Sequence, residues 1–221
     1  MGRFMLAVIA GMLVVALSPM AFADTLKRSP FSDWRDGDLI FHNSWRSQQT
    51  LAVAWATGSL YTHMGIVKLT RKGPVVVEAI GPVLETPLKT FIARGHDSYA
   101  VYRVKGLSPK KASEVLAEAK KYYGRRYDLF FRMDDERIYC SELPFKAFAA
   151  VGIPIGSPQT FSQLHIHNPA VRSLFNKRWR EHPDCGKLKT ADQCWNVMLK
   201  QEIISPARLT EDPRVERVYA R

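Results

Sequence analysis

The stretch that decides the fold runs Tyr139-Cys140-Ser141-Glu142-Leu143-Pro144 and places a cysteine at the start of a predicted helix. Proline is tolerated in a helix only within the first turn, so Pro144 predicts a helix that begins near Cys140. Unpaired backbone N–H groups and the positive end of the helix dipole lie at such a position, and both favour a thiolate over a thiol. Cys140 is therefore a candidate nucleophile.

The beginning of the chain has the pattern of a secretory signal peptide. Arg3 precedes an apolar run from about Phe4 to Leu17, and the small-residue pattern Ala21-Phe22-Ala23 follows. The run is shorter than the roughly 18 to 20 apolar residues that a membrane-spanning helix needs. We therefore expect residues 1–23 to be a signal peptide, cleaved after Ala23, and the mature protein to be periplasmic or secreted.

Three cysteines in an oxidising compartment leave one without a partner. Cys185 and Cys194 lie nine positions apart in a polar stretch and form the natural pair. Cys140 is then the free thiol, which is either a reactive group or a buried structural residue. Its place at a helix start favours a reactive thiol.

Composition predicts one packed domain over residues 24–221, since 46% of the chain is hydrophobic. A His- and Trp-rich excursion at about 164–200 is too short to form a core alone, and we interpret it as an insertion. The formal net charge is +11. Export argues against nucleic acid as a partner, so the cations either face anionic envelope polymers and phospholipid head groups or only aid solubility.

Apolar patterning and turn residues predict an alternation of strands and helices. The expected elements are a strand at 38–42, a helix within 44–59, a hairpin of 61–69 with 75–80, a short helix begun by Thr86-Pro87 and ending near Ala93, a strand at 99–104, a helix from Ser108-Pro109 to Gly124, and the helix from Cys140 to Gly152. Residues 204–219 are expected to return to the main body.

A cysteine nucleophile needs a base to accept its proton and a third group to orient that base. A hairpin turn centred between Arg71 and Lys72 would put Gly65 opposite Glu78 and His63 diagonal to Glu78 on the same face. Glu78 would then reach His63 across the bare glycine. Taken singly, Glu78 is also consistent with a solvent-facing strand position, and a lone histidine such as His63 is more often structural than catalytic.

Other polar residues have simpler interpretations. His165, His167 and His182 near Cys185 suggest zinc, but no second ligand pair supports a metal site, and the two cysteines oxidise more readily in the periplasm. Tyr127 and Asp128 are expected to support the Cys140 loop. A side chain from Ser47-Gln48-Gln49 is a weaker candidate for binding an oxyanion.

An ordered set of motifs resembles the YiiX/YebB-like cysteine hydrolases, the circularly permuted branch of the NlpC-type papain-like superfamily. The motifs are Asp36-Gly37-Asp38-Leu39-Ile40-Phe41, Thr62-His63-Met64-Gly65-Ile66-Val67, Val77-Glu78-Ala79, Thr86-Pro87-Leu88, Tyr127-Asp128 and Tyr139-Cys140-Ser141-Glu142-Leu143. The resemblance implies an α+β, circularly permuted papain-like fold, with an antiparallel sheet or small barrel packed against helices. It also implies that Cys140, His63 and Glu78 are nucleophile, general base and orienting acid.

These observations predict an exported cysteine hydrolase or amidase that acts through an acyl-enzyme, with no cofactor and no metal. Its expected substrate is a peptide amide of the cell wall. Two alternatives stay open: a lipid-directed thioesterase or acyltransferase that uses the same cysteine, and a non-enzymatic envelope-binding module.

Overall fold

The computed structural model describes residues 31–44 and 47–221, and residues 31–221 belong to one compact unit. The predicted signal peptide lies outside the described residues. Within the described ranges, no helix combines the length and the apolar character needed to span a bilayer.

A six-stranded antiparallel sheet forms the centre of the fold. Its strands are β1 (Leu39–His42), β2 (His63–Lys68), β3 (Val75–Ala79), β4 (Val83–Pro87), β5 (Tyr99–Val104) and β10 (Val215–Ala220). Their order across the sheet is β10-β5-β1-β2-β3-β4. Two short pairs lie outside the sheet, β6 (Arg126–Tyr127) with β7 (Arg137–Ile138) and β8 (Gln159–Thr160) with β9 (Glu202–Ile203). The return of the chain end to the main body is therefore confirmed, because β10 pairs with β5.

Seven α-helices lie in the described part of the chain. They are α1 (Gln48–Thr57), α2 (Leu88–Arg94), α3 (Pro109–Lys120), α4 (Glu142–Ala150), α5 (Pro169–Arg178), α6 (Ala191–Met198) and α7 (Pro206–Thr210). Ser47 caps α1 and Ser108 caps α3, each accepting a backbone N–H in the first turn. Gly58 ends α1 in the left-handed conformation that glycine adopts without strain.

Apolar side chains cover both faces of the sheet. On one face, Phe41, Met64 and Ile66 pack with Val115 of α3 and Phe148 of α4. On the other face, strand residues pack with Leu88 and Phe91 of α2. Alternate strand residues therefore point into two different cores, which explains why the strands are apolar almost throughout. This arrangement confirms the predicted α+β fold with an antiparallel sheet packed against helices.

A second structural layer is formed by residues 161–203, here called the disulfide segment. Its Phe161, Phe175, Trp179 and Met198 pack with each other and with Ala52 of α1. The Cys185–Cys194 disulfide lies inside this cluster. The segment thus depends on α1 for its core, as expected for a stretch too short to fold alone.

One predicted boundary is wrong. Thr86-Pro87 does not start a helix, because both residues end β4, which pairs along β3; the helix that follows begins at Leu88. Strand pairing here overrides a local sequence signal for helix initiation. The cysteine helix begins at Glu142 with Ser141 as its N-cap, which confirms a helix start near Cys140.

Candidate active site

The register of the β2–β3 hairpin brings His63 and Glu78 together. Ile66 pairs with Val77 and Lys68 with Val75, which centres the turn between positions 71 and 72. This is the register expected from the sequence. His63 Nε2 lies 2.5 Å from Glu78 Oε2, and both side chains are buried.

Gly65 makes this contact possible. A Cβ atom at position 65 would come within 2.4 Å of Val76 Cγ1, 2.8 Å of the Val77 carbonyl oxygen and 3.2 Å of Glu78 Cβ. Any larger residue would therefore push the β3 strand or the Glu78 side chain away from β2. The glycine is required by close packing and not by an unusual backbone angle.

Arg94 completes the environment of Glu78. The guanidinium Nη2, at the end of α2, donates to Glu78 Oε1, while His63 occupies the other carboxylate oxygen. The Glu78 side chain is 0% exposed and that of Arg94 is 24% exposed. Arg94 also lies over the Phe91 ring, with the guanidinium carbon 5.3 Å from the ring centroid. A buried carboxylate is thus paired on both oxygens, as its burial demands.

Cys140 lies immediately before α4, on the edge of the main core. It is the free cysteine of the described chain and is 3% exposed. The neighbouring Ser141 donates its hydroxyl to the Ile204 carbonyl oxygen over 2.8 Å, which holds the loop against the chain that follows the disulfide segment. The Tyr127 hydroxyl lies 3.9 Å from Cys140 Sγ. The thiol is therefore fixed in position by its neighbours before any substrate binds.

The titration of Cys140 and His63 is coupled. Burial alone would lower the pKa of His63, but hydrogen bonds to Cys140 and Glu78 outweigh it and raise that pKa to about 9. Burial would raise the pKa of Cys140, yet the hydrogen bond and positive charge of His63 lower it below its ordinary value. Because Nε2 of His63 binds Glu78, Nδ1 is the nitrogen left for the thiol. Each group therefore favours the charged form of the other, thiolate on Cys140 and imidazolium on His63.

Beside this pair, Glu78 is ionised whereas His42 is neutral. Burial raises the pKa of Glu78, but His63, Thr86 and Arg94 outweigh it and lower the pKa to about 2. Burial and the positive charge of His63 lower the pKa of His42 to about 3. Glu78 thus stays ionised as a partner for His63, whereas His42 stays neutral and packs against the His63 ring with centroids 5.2 Å apart.

The loop before Cys140 is held by the acidic residue that the sequence assigned to its support. The Asp128 carboxylate accepts hydrogen bonds from the backbone N–H groups of Phe130 and Arg132, both at 2.8 Å. Phe131 between them has φ of 56°, an uncommon value for a residue with a side chain. Gln201 donates to the carbonyl oxygens of Phe130 and Phe131. The strained conformation is therefore maintained from two sides.

Two pockets meet at the catalytic cysteine and histidine candidates. The apolar pocket holds about 860 Å³ of space, including the part open to solvent, and Cys140 forms part of its wall. Its apolar lining comes from α1, the 129–131 loop and the disulfide segment, including Ala52, Val53, Leu129, Phe131, Leu164, Val171, Leu174, Phe175 and Met198. The second pocket, called the polar pocket because hydroxyl, imidazole and guanidinium groups contribute to its lining, holds about 950 Å³ on the same basis, and His63 forms part of its wall. Its other lining residues are His42, Ser44, Ser47, Gln49, Thr50, Val53, Thr62, Ile80, Arg94, Tyr127 and Leu129.

One group of side chains has the ligand types of a metal site. Among the described residues, His182, Cys185 and Cys194 alone form a group of three or more such side chains close enough to hold an ion. The two cysteines are joined in a disulfide, so neither offers the thiolate that would bind a metal. His182 instead interacts through Nε2 with Gln201 Oε1 and through Nδ1 with the backbone N–H of Asp184. In this state the residues do not fit a metal.

The structure brings together Cys140, His63 and Glu78, and leaves His165 and His167 exposed and apart from them. Sequence reasoning missed Arg94, because a cation in the last turn of a short helix is usual in itself. It also missed the apolar pocket, whose walls come from parts of the chain far apart in sequence. The Ser47-Gln48-Gln49 stretch does reach the site, with Ser47 at the polar pocket and Gln49 between both pockets.

Comparison with known proteins gives a consistent result. A family model described as "permuted papain-like amidase enzyme, YaeF/YiiX, C92 family" matches residues 33–219. The uncharacterized protein YiiX of Escherichia coli strain K12 is 35% identical over 185 residues, which cover 82% of this chain and 84% of YiiX. A crystal structure of metalloprotein YiiX, from Escherichia coli O157:H7, is similar with a TM-score of 0.74 and 35% identity, covering 85% of this chain and 97% of that one. The family match begins before β1 and ends within β10, so it includes both the hairpin and α4.

Proposed function

The chain belongs to the family of permuted papain-like amidases and is a cysteine hydrolase of the amidase type, and we propose that it works through a Cys140–His63–Glu78 triad. The observation that carries this proposal is the buried His63–Glu78 contact beside a free, buried cysteine whose pKa is lowered by His63. Burying three ionisable groups is costly unless they serve one another. Their arrangement has the nucleophile, base and orienting acid of cysteine catalysis.

In the proposed first half-reaction, the Cys140 thiolate attacks the carbonyl carbon of the substrate. The backbone N–H of Cys140 at the start of α4 is suited to help bind the oxyanion that forms. His63 then donates its proton to the leaving nitrogen, the carbon–nitrogen bond breaks, and a thioester remains on Cys140. Glu78 keeps the imidazole oriented and offsets its positive charge.

In the second half-reaction, neutral His63 removes a proton from a water molecule that attacks the thioester. The carbon–sulfur bond breaks, the acid product leaves, and the thiolate–imidazolium pair is restored. Arg94 pairs with Glu78 throughout and favours its ionised form. The cycle needs no oxidant, and none of its steps runs through a metal, although the related YiiX crystal structure is described as that of a metalloprotein.

Cell-wall peptide amides are the proposed substrate. This part rests on the sequence pattern of a signal peptide at residues 1–23, which predicts export, and on the amidase chemistry of the family. The formal charge of +11 would favour anionic envelope polymers as surroundings.

The test is mass spectrometry of the purified chain during incubation with muropeptides. We expect an added mass on Cys140 that equals an acyl fragment of the substrate, together with release of the amine product. Cys140→Ala should abolish both signals while its thermal unfolding stays close to that of the wild type. Equal product release by the variant would refute the proposal.

A second candidate function is hydrolysis or transfer of a lipid acyl group by the same cysteine. The apolar pocket favours it, because Cys140 lies in a wall formed mostly by carbon from α1 and the disulfide segment. A muropeptide is polar and gains little binding free energy from contact with such a wall. An alkyl chain gains binding free energy in proportion to the apolar area that it buries. Incubation with an envelope lipid extract distinguishes the two, since the mass of the Cys140 adduct identifies the acyl group.

A further inference from the structure

A substrate bound at Cys140 and His63 would extend across both pockets. This step rests on the proposed function, in which Cys140 bonds the acyl carbon and His63 donates a proton to the leaving group. Cys140 lines the apolar pocket and not the polar one, whereas His63 lines the polar pocket and not the apolar one. The acyl part therefore lies on the apolar side and the leaving part lies in the polar pocket.

The polar pocket presents two cationic groups, while the carboxylate that pairs with both of them, Glu78, lies outside its wall. Arg94 and His63 are the charged residues among the groups that line it, and no Asp or Glu of the described chain lines it. Glu78 lies behind Arg94 and has no exposed surface. The hydroxyl groups of Ser44, Ser47 and Thr50 add hydrogen-bond partners. A neutral or cationic leaving group gains little from this wall, whereas an anion is complementary to it.

Arg94 has capacity left for a ligand. Its Nη2 donates to Glu78, 24% of its side chain is exposed, and the residue lines the polar pocket. The side chain is anchored on one side by Glu78 and on its face by Phe91, so it is held in place before a ligand arrives. A guanidinium presents several N–H donors in a plane that matches a carboxylate or phosphate.

We propose that the pocket beside Arg94 is a leaving-group subsite for an anion, and that the enzyme prefers acyl compounds whose leaving amine carries a carboxylate or a phosphate. The apolar pocket and the anion subsite together define a substrate with an acyl part at one end and a negative charge at the other. Arg94 then has two roles: it positions Glu78 and it selects the substrate.

Three matched probes test the proposal independently of turnover: N-chloroacetylglycine, N-chloroacetylglycinamide and the N-chloroacetyl derivative of aminoethyl phosphate. In each, the Cys140 thiolate displaces chloride, so a carbon–sulfur bond forms and the carbon–chlorine bond breaks. The measured quantity is the rate of Cys140 labelling by mass spectrometry, as a ratio of charged to neutral probe, with glutathione as the reference thiol. A ratio cancels any change in the thiolate fraction.

In the wild type we expect the better of the two charged probes to label Cys140 about tenfold faster than the neutral probe, relative to glutathione. The carboxylate and phosphate arms show which anion the subsite prefers. Arg94→Gln should reduce the ratio to within about twofold of the glutathione value, and Arg94→Lys should retain part of the preference because it keeps the charge. Lys89→Gln removes an exposed cation from the same helix and should leave the ratio unchanged.

Rapid labelling without charge preference, or a preference that survives Arg94→Gln, would overturn the anion subsite and leave the nucleophile assignment standing. Failure of all three probes to label Cys140 in the wild type would overturn the nucleophile assignment and this inference with it. Thermal unfolding of both Arg94 variants shows whether the fold is kept. If Arg94→Gln does not fold, a wild-type ratio equal to that of glutathione still refutes the proposal.

Discussion

The β2–β3 hairpin and the disulfide segment contribute different kinds of side chain to the surroundings of Cys140. The hairpin buries charged groups, His63 and Glu78, whose position depends on strand register and on one glycine. The disulfide segment presents apolar side chains such as Leu174 and Phe175, held by packing on α1 and by a disulfide. Changes in the hairpin should therefore alter the rate and pH dependence of the chemistry, and changes in the segment should alter the choice of substrate.

The largest expected effect is that of His63→Ala. Loss of the proton donor and of the charge that lowers the pKa of Cys140 should reduce kcat/KM by about 1,000-fold, within the range for general acid–base catalysis. Steady-state kinetics on any substrate that acylates Cys140 provides the measurement. His167→Ala, at an exposed histidine of the disulfide segment, is the matched control and should stay near wild type. Similar kinetics for both variants would remove His63 from the site.

Gly65→Ala tests whether the hairpin works through close approach of its strands. The added methyl group would meet Val76, the Val77 carbonyl and Glu78, so we expect a loss of about 1 to 3 kcal/mol in unfolding free energy. Displacement of Glu78 should also lower kcat by more than tenfold. Gly186→Ala, where nothing lies within 4 Å of the new methyl group, is the control. Denaturant titration and kinetics of the two variants provide the comparison, and an unaffected Gly65→Ala would contradict the account.

Ala52→Leu tests the other side of the comparison, since Ala52 lines the apolar pocket from α1. The larger side chain should fill part of the pocket and lower kcat/KM for a long-chain acyl substrate about tenfold, while an acetyl substrate is affected less than about twofold. Ala170→Leu makes the same change at an exposed position of α5 and should affect neither substrate. Equal losses for long and short substrates would show that the pocket does not hold the acyl group.

Removal of the disulfide should have the smallest effect on the chemistry. The double variant Cys185→Ser, Cys194→Ser opens a link across nine positions, which predicts a loss of about 2 to 3 kcal/mol in stability. Because both cysteines are buried in the apolar cluster of the disulfide segment, kcat/KM for an acetyl substrate should change by less than about threefold. Thermal unfolding and kinetics measure both quantities. A loss as large as that of His63→Ala would mean that the segment shapes the catalytic centre itself.

The sequence predicts the hairpin well and the disulfide segment poorly, for physical reasons. The strands of the hairpin follow from alternation, a local feature that a sequence records, whereas the register rests on an assumed turn centre and on the family resemblance. The segment has isolated apolar residues such as Phe161 and Met198, which find partners only once α1 is in place. Helix α2 shows the same limit, because Thr86-Pro87 signals a helix start locally but pairing with β3 makes it a strand end.

The same contrast applies to the candidate site: some of its residues can be predicted from the sequence and others cannot. Residue chemistry, turn geometry and family resemblance together predict Cys140, His63 and Glu78 as the catalytic residues. They do not identify Arg94, because its contact with Glu78 joins the end of one helix to a strand, and its spacing in the sequence carries no signal. The two pockets likewise depend on tertiary structure, with Leu129 and Gln49 forming part of both walls.

The pH dependence of Cys140 alkylation by iodoacetamide tests the central claim most directly, because the disulfide leaves Cys140 as the free thiol of the described chain. His63 raises the thiolate fraction while it is protonated, so the rate should have a midpoint below the pKa of about 8.5 of an ordinary thiol and a further change near pH 9, where His63 loses its proton. In His63→Ala the midpoint should move above that of the wild type, since burial then acts without its counter-charge. A single wild-type midpoint at or above about 8.5, unchanged by His63→Ala, would contradict the thiolate–imidazolium pair.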